Sequence, residues 1–336
     1  MVRRLGINLW WNKLATATAM LIALSGVPNT ASAQSDELTL TITAGSSTGT
    51  YFRFAEEIAA MLPGASFEIV ESAGSVQNLR RLIGYEGQSE QKFYQLALVQ
   101  ADVLEQLRDR AKGNGVLESI VDRIKVVMPL YGEEIHIYAD VERDVRTLEE
   151  MRAEGLLVNA GSETSGTNLT ARWLFEQIGY GDDLDNWQNV AAKLELPNMG
   201  PGYDVLFDVS GAPSKLGLSL ENPAPVTLVP ITNQDDLLAI PNSPYRKAFL
   251  TPEQYPWLNR PVETLAVTAL LVTFDYDERN PYCDLIEDLT RGIVNGLESR
   301  QSPASGSHPK WREVDILNAS NRSDIYACSA RVLNRL

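Results

Sequence analysis

Residues 38–64 read LTLTITAGSSTGTYFRFAEEIAAMLPG. Leu38, Leu40 and Ile42 alternate with Thr39, Thr41 and Thr43, a β-branched period of two that predicts a strand. Ala44 to Thr50 are small and polar and predict a turn. Tyr51, Phe54, Ala55, Ile58 and Leu62 then recur at helical spacing until Pro63-Gly64 stops the helix. Strand, Gly/Ser/Thr turn and helix in that order make the first half of a βαβ unit.

The pattern repeats outward from there. Phe67–Val70 predicts a second strand, and Ser75 opens a helix carrying Val76, Leu79, Leu82 and Ile83 on one side. Leu96–Val99 and Ile124–Leu130 are further predicted strands, with a polar helix over Asp102–Arg110 between them. Alternating β and α elements imply a parallel sheet covered by helices, an α/β fold. After Leu130 the order changes. Ile135–Ala139 continues as a strand with only Tyr131–Glu134 between, which suits a crossing between two lobes better than a helical return. Leu156–Val158, Val205–Val209 and Val226–Val229 are shorter predicted strands. A helix carrying Ala171, Leu174, Phe175 and Ile178 ends at Gly179. Pro241–Pro261 has little periodicity and is expected to be irregular. Thr264–Phe274 is the longest strand-like run and would carry the chain back to the first lobe, and Pro281–Leu336 is expected to be mostly helical.

The full chain has 336 residues, about two domains' worth. Its 44% hydrophobic and 22% charged residues fit a folded globular protein, and two cysteines exclude a disulfide scaffold. Its 29 basic residues against 44 acidic ones give a net charge of −15, so a nucleic-acid partner is not expected. Residues 1–33 have the form of a secretory signal: Arg3, Arg4 and Lys13, an uncharged run over Leu14–Leu24, Pro28, and the small triplet Ala31-Ser32-Ala33. A buried core helix is the alternative, and it leaves the flanking arginines and the A-S-A triplet unexplained. Cleavage after Ala33 would leave a periplasmic chain at −18, with no later stretch of membrane-spanning length. In that compartment Cys283 and Cys328 are a candidate disulfide; two unpaired buried thiols are the alternative.

The motifs of catalysis are missing from the sequence. No CxxC, HExxH or EF-hand pattern argues for a metal, no G-x-S-x-G or GK[ST] motif occurs, and neither a cofactor nor catalytic residues are expected. His136 alternates with Ile135 and Ile137 and reads as structural, and His308 lies in a loop. The pairs Glu56-Glu57, Glu133-Glu134 and Asp235-Asp236 read as solvated faces.

What remains is three small polar turns before helices: Gly45–Tyr51, Glu71–Ser75 and Gly161–Thr167. Each would present unpaired N–H groups and hydroxyls where the helix dipole favours an anion. One such turn is usually a helix cap; three in two lobes suggest a cleft that grips a small carboxylate with neutral dipoles, whatever the net charge.

The stretches TITAGSSTGTYFRFAEEIA, ESAGSVQNLRRL, LALVQADVL, LYGEEIHIYA, NAGSETSGTNLTARWLFEQIG and FDVSGAPS occur in this order. Together they resemble the TAXI family of substrate-binding proteins of tripartite ATP-independent periplasmic (TRAP) transporters, over essentially all of residues 34–336. The resemblance implies a type II periplasmic binding protein fold, with two α/β lobes and a ligand cleft between them. The lobes would comprise 34–131 with 276–336, and 132–275, hinged at Tyr131–Glu134 and near Phe274–Tyr276. It also implies capture of a small carboxylate, a glutamate-like amino acid or a dicarboxylate, by a monomer that delivers it to membrane permease subunits without itself inserting in the membrane. A stand-alone secreted sensor or enzyme on the same fold is the competing expectation.

By matching position, the resemblance assigns Gly45, Ser46, Ser47, Thr50 and Tyr51 to the first ligand-binding turn. Gly74, Ser75 and Asn78 belong to the second, and Gln100 follows its strand. Ser165, Gly166 and Thr167 start the second-lobe helix, and Gly211 lies in FDVSGAPS. The first turn departs from the family in having Ser46, Ser47 and Thr48 where glycines are common. Tyr51 is expected as a flat wall or phenolic donor, with a core aromatic as the alternative. Arg172 is read as an ion-pair residue, not a clamp. Alanine at Ser165 and Thr167 is expected to weaken binding without unfolding.

Overall fold

A computed structural model describes residues 38–85, 92–178, 187–188, 202–241, 243–319 and 321–336. The expected signal segment 1–33 and the helix stop at Gly179 lie outside the described residues. The first half runs β1 (Thr39–Thr43), α1 (Thr50–Ala59), β2 (Ser66–Val70), α2 (Ser75–Leu82), β3 (Leu96–Gln100), α3 (Ala101–Ala111) and α4 (Gly115–Val121). Next come β4 (Ile124–Asp140), α5 (Leu148–Ala153), β5 (Val158–Asn159), α6 (Gly166–Gln177), β6 (Trp187–Gln188) and β7 (Val205–Ser210). The remainder is α7 (Lys215–Leu218), β8 (Val226–Leu228), α8 (Gln234–Leu238), β9 (Tyr245–Leu250), β10 (Val262–Phe274), α9 (Pro281–Gln301), α10 (Ile316–Ala319) and α11 (Ala327–Leu333).

The strands lie in the order β2-β1-β3-β10-β4-β7-β5-β6, with β8 added to β4 and β9 to β10. β1, β2 and β3 are parallel, as are β5, β6 and β7. The two long strands between these groups are antiparallel to their neighbours. The parallel pattern read from the sequence therefore holds within each group and fails at the crossing.

One expectation is corrected at the crossing itself. Ile124–Leu130 and Ile135–Ala139 are not two strands joined by a connection, because Tyr131–Glu134 keeps extended geometry and β4 runs unbroken over 17 residues. Gly132 and Glu133 stay in the ladder, pairing with Thr268 and Val267 of β10. A second correction falls in Pro241–Pro261, where Tyr245–Leu250 pairs with β10. Tyr245, Ala248 and Leu250 of this strand are buried while Arg246 and Lys247 are exposed, so its charges masked the period.

Side chains alternate between two cores, as a pleated strand requires. In β3, Leu96 and Leu98 pack with Phe54 and Ile58 of α1 and Ile286, Leu289 and Ile293 of α9. Ala97 and Val99 join the second core with Leu79 and Leu82 of α2, Leu104 of α3, and Ala171, Leu174 and Phe175 of α6. Cys283 and Cys328 form the disulfide, tying α9 to α11 with Cα atoms 5.7 Å apart.

Candidate functional site

The starts of α1, α2 and α6 meet one cavity of about 900 Å³, within the range of small-molecule sites. Its wall includes Gly45, Ser46, Ser47, Thr50, Tyr51, Gly74, Ser75, Gln100, Ser165, Gly166 and Thr167. None of the three helices has an acidic residue in its first turn, and the starts of α1 and α2 have no side-chain cap. The first N–H groups of α1 thus keep the partial positive charge that a cap would satisfy, while in α2 the third N–H, that of Gln77, is taken by Thr164 O and the two before it stay open.

Glycine is required where α2 and α6 approach. Gly74 has φ +123°, and a Cβ on it would sit 3.4 Å from Gly166 N. A Cβ on Gly166 would fall 1.4 Å from Gln100 Oε1 and 2.9 Å from Ser75 Oγ. The Gln77 N–H donates to Thr164 O across the same junction at 3.0 Å. The second and third polar turns are therefore in contact and form one continuous piece of wall.

Several hydroxyls assigned from the sequence are already engaged. Ser165 Oγ accepts from Asn168 N at 3.1 Å and donates to Ser162 O at 2.7 Å, which makes it the cap of α6. Thr167 Oγ1 accepts from Val209 N at 3.1 Å and fixes α6 to β7. Removing both hydroxyls would therefore cost stability as well as contacts. Ser75 Oγ accepts from Gln100 N at 3.0 Å.

Asn78 and Gly211 lie behind the cavity wall. Asn78 is fully buried, accepting from Thr43 Oγ1 at 2.7 Å and donating to Leu98 O at 2.7 Å, so its amide ties α2 to the sheet. Gly211 accepts from Thr50 Oγ1 at 3.4 Å through its carbonyl, and a Cβ there would meet Tyr131 at 2.8 Å. Arg172 donates to Asn168 Oδ1 at 2.8 Å and is not among the wall residues.

The wall also holds two acids that the sequence did not single out, Glu133 of β4 and Asp208 of β7. Tyr51 donates its hydroxyl hydrogen to Glu133 Oε2 at 2.6 Å, joining the start of α1 to the crossing strand. Burial holds the Glu133 carboxyl well above the usual range, and nearby acids add to the effect. Burial pushes Asp208 up to about 6. The solvated-face reading is thus wrong for Glu133 and Glu134, which are 3% and 4% exposed, and for Glu57, also 4% exposed. Glu134 pairs with the buried Lys310 and accepts from Ala212 N at 2.8 Å. Glu57 accepts from Trp311 Nε1 at 2.6 Å and Arg53 Nε at 2.7 Å. Tyr51, Lys310, Ala212 and Trp311 are all distant in sequence from the acids they hold, so adjacency of acids carried no signal of burial. Asp235 and Asp236 are exposed, as read.

His136 is structural: Nε2 lies 2.7 Å from the Tyr255 hydroxyl and Nδ1 3.0 Å from Glu134 O. Burial pushes its pKa down to about 4, so the ring is neutral at pH 7. Among the described residues, no group of His, Cys, Asp or Glu could hold a metal ion, and no helix is long and apolar enough to cross a membrane.

A family model described as the NMT1-like family matches residues 42–323. No curated protein matches the chain. Among solved structures, the periplasmic binding protein BugD is similar at 11% identity over 88% of this chain and 93% of that one, with a TM-score of 0.51. MatC from Rhodopseudomonas palustris with bound malate is similar at 14% identity over 88% and 95%, with a TM-score of 0.50. At such identities the likeness concerns fold alone, and the fold is the two-lobed α/β type II periplasmic binding protein fold.

Proposed function

This chain belongs to the NMT1-like family, and on that premise we propose that it is the extracytoplasmic solute-binding subunit of a TRAP transporter of the TAXI kind. It captures a small carboxylate and delivers it unaltered to a membrane permease. The observation that carries the reading is the convergence of three helix starts, free of acidic first-turn residues, on one cavity. The malate bound by the similar MatC belongs to the same ligand class.

The ligand carboxylate accepts from the first N–H groups of α1, α2 and α6 and from the Ser46 and Ser47 hydroxyls. Each neutral hydrogen bond contributes about 0.5–1.5 kcal/mol net, and one to an ionised carboxylate about twice that. The lobes are 34–131 with 276–336, and 132–275. Strands β4 and β10, continuous through the crossing, act as the hinge about which they open and close. The Tyr51–Glu133 bond then joins a helix of one lobe to the hinge strand.

The reading is tested by thermal shift against a library of small mono- and dicarboxylates, followed by recovery of the bound compound. A binder is stabilised in proportion to free ligand and returns it intact. Conversion of the ligand would favour an enzyme on the same fold.

A further inference from the structure

Behind the cavity wall lies a second set of polar groups. Asp102, the second residue of α3, is 1% exposed. Its Oδ2 accepts from the Thr170 hydroxyl of α6 and from the Tyr245 hydroxyl of β9, each at 2.6 Å. Its Oδ1 accepts from Val103 N at 2.8 Å, which fixes the carboxylate on α3. Thr170 and Tyr245 are buried too, and none of the three is a wall residue. The Tyr245 ring stacks on Trp173 of α6, with centroids 4.3 Å apart, while its hydroxyl reaches across to α3. Gln100 joins this group to the wall: its Nε2 donates to Thr170 Oγ1 at 3.4 Å, and its Oε1 accepts from Ser75 Oγ at 3.3 Å.

In the lobe assignment above, Asp102 belongs to one lobe and both hydroxyls to the other. We propose that Asp102, Thr170 and Tyr245 form a lock that sets the balance between open and closed lobes. The inference rests on that lobe assignment and adds the contact that governs it. The apolar core shared by Val103 and Leu104 of α3 with Ala171 and Leu174 of α6 favours closure, but apolar burial has no direction. Closure also strips water from the Asp102 carboxylate, and the two hydroxyls replace that water at set positions. Burial pushes the Asp102 carboxyl up from its ordinary range, and both hydroxyls act to bring it down again. With either hydroxyl missing, closure buries a carboxylate short of a donor, and the lobes stay apart.

The experiment places spin labels at Glu56→Cys and Glu221→Cys, exposed positions outside the cavity wall and one on each lobe. Their separation is read by double electron–electron resonance in the ligand-free protein. The parent should show a short and a long distance. Tyr245→Phe, which keeps the ring on Trp173, and Thr170→Val should each lower the short-to-long ratio about tenfold or more, the effect of one lost hydrogen bond to a charged group. Adding Asp102→Asn to Tyr245→Phe should restore part of the ratio, because a neutral amide costs less to bury than a carboxylate. Circular dichroism confirms that each variant is folded. A Gly166→Trp wedge against Gln100 is the control for the hinge and should leave only the long distance. A parent without the short distance, hydroxyl variants with the parental ratio, or no recovery from Asp102→Asn would overturn the lock and, with the wedge variant open, leave the lobe assignment standing. A folded wedge variant that keeps the short distance would sink both.

Discussion

Glu133 and Glu134 follow one another in β4, yet Glu133 takes the Tyr51 hydroxyl on the cavity wall while Glu134 is clamped to Lys310 on the other side of the strand. Alternation along an extended strand separates them. One carboxylate is left facing the cavity. The other is built into a network in which Lys310 also holds Glu313, and Glu313 accepts from Gly132 N at 3.0 Å and Arg246 at 3.1 Å. The C-terminal segment is thereby bonded to the crossing strand at the residues where the lobes would hinge.

Lys310 is 2% exposed, so Lys310→Met would leave Glu134 charged and buried without its cation. A loss of about 3–5 kcal/mol is expected in urea denaturation. Pairing it with Glu134→Gln should recover a large part of that loss, because the orphaned charge is then gone. If the double variant is no more stable than the single one, the pair is not what stabilises this region.

Gly166→Ala would push a Cβ into Gln100 Oε1 and toward Ser75 Oγ. Displacing Gln100 opens the junction of α2 and α6, and affinity should fall about tenfold or more, read by calorimetry. Ser165→Ala should instead act mainly on stability, costing about 1 kcal/mol as a lost helix cap.

Burial pushes Asp208 from its ordinary value of 3.8 up to about 6. As pH rises through this window the unfolded chain loses the proton first, so the ligand-free folded state holds more protons and loses stability. Asp208→Asn removes that loss. The variant should therefore gain on the parent by up to about 3 kcal/mol between pH 4 and pH 7, measured by denaturation at each pH. A constant difference across the range would show that Asp208 titrates normally.

The Cys283–Cys328 bridge closes a loop of 45 residues within the first core. Replacing both cysteines with serine should cost about 2–5 kcal/mol, seen as a lower Tm. Binding should persist in the folded fraction, since neither cysteine is a wall residue.

The polar turns were legible because helix starts are local: Gly45–Tyr51, Gly74-Ser75 and Ser165–Thr167 declare themselves within a few residues, and all reach the cavity. So was the strand alternation that builds both cores. Asn78 was assigned to the second turn by the family resemblance, but its partners Thr43 and Leu98 are set by packing across the sheet. Glu133, Asp208 and Lys310 were invisible for the same reason. Their environment comes from Tyr51, Ser210 and Glu134, brought near by pairing that local pattern does not encode. Continuity of β4 through Gly132-Glu133 likewise depends on β10, more than a hundred residues later.

The most direct test purifies the protein from its native host without a refolding step and identifies by native mass spectrometry what leaves with it. One small carboxylate per chain is expected, released on unfolding, chemically unchanged, and rebound by the emptied protein. A chain that carries none and gains no stability from any small carboxylate would contradict the account, as would recovery of a converted product.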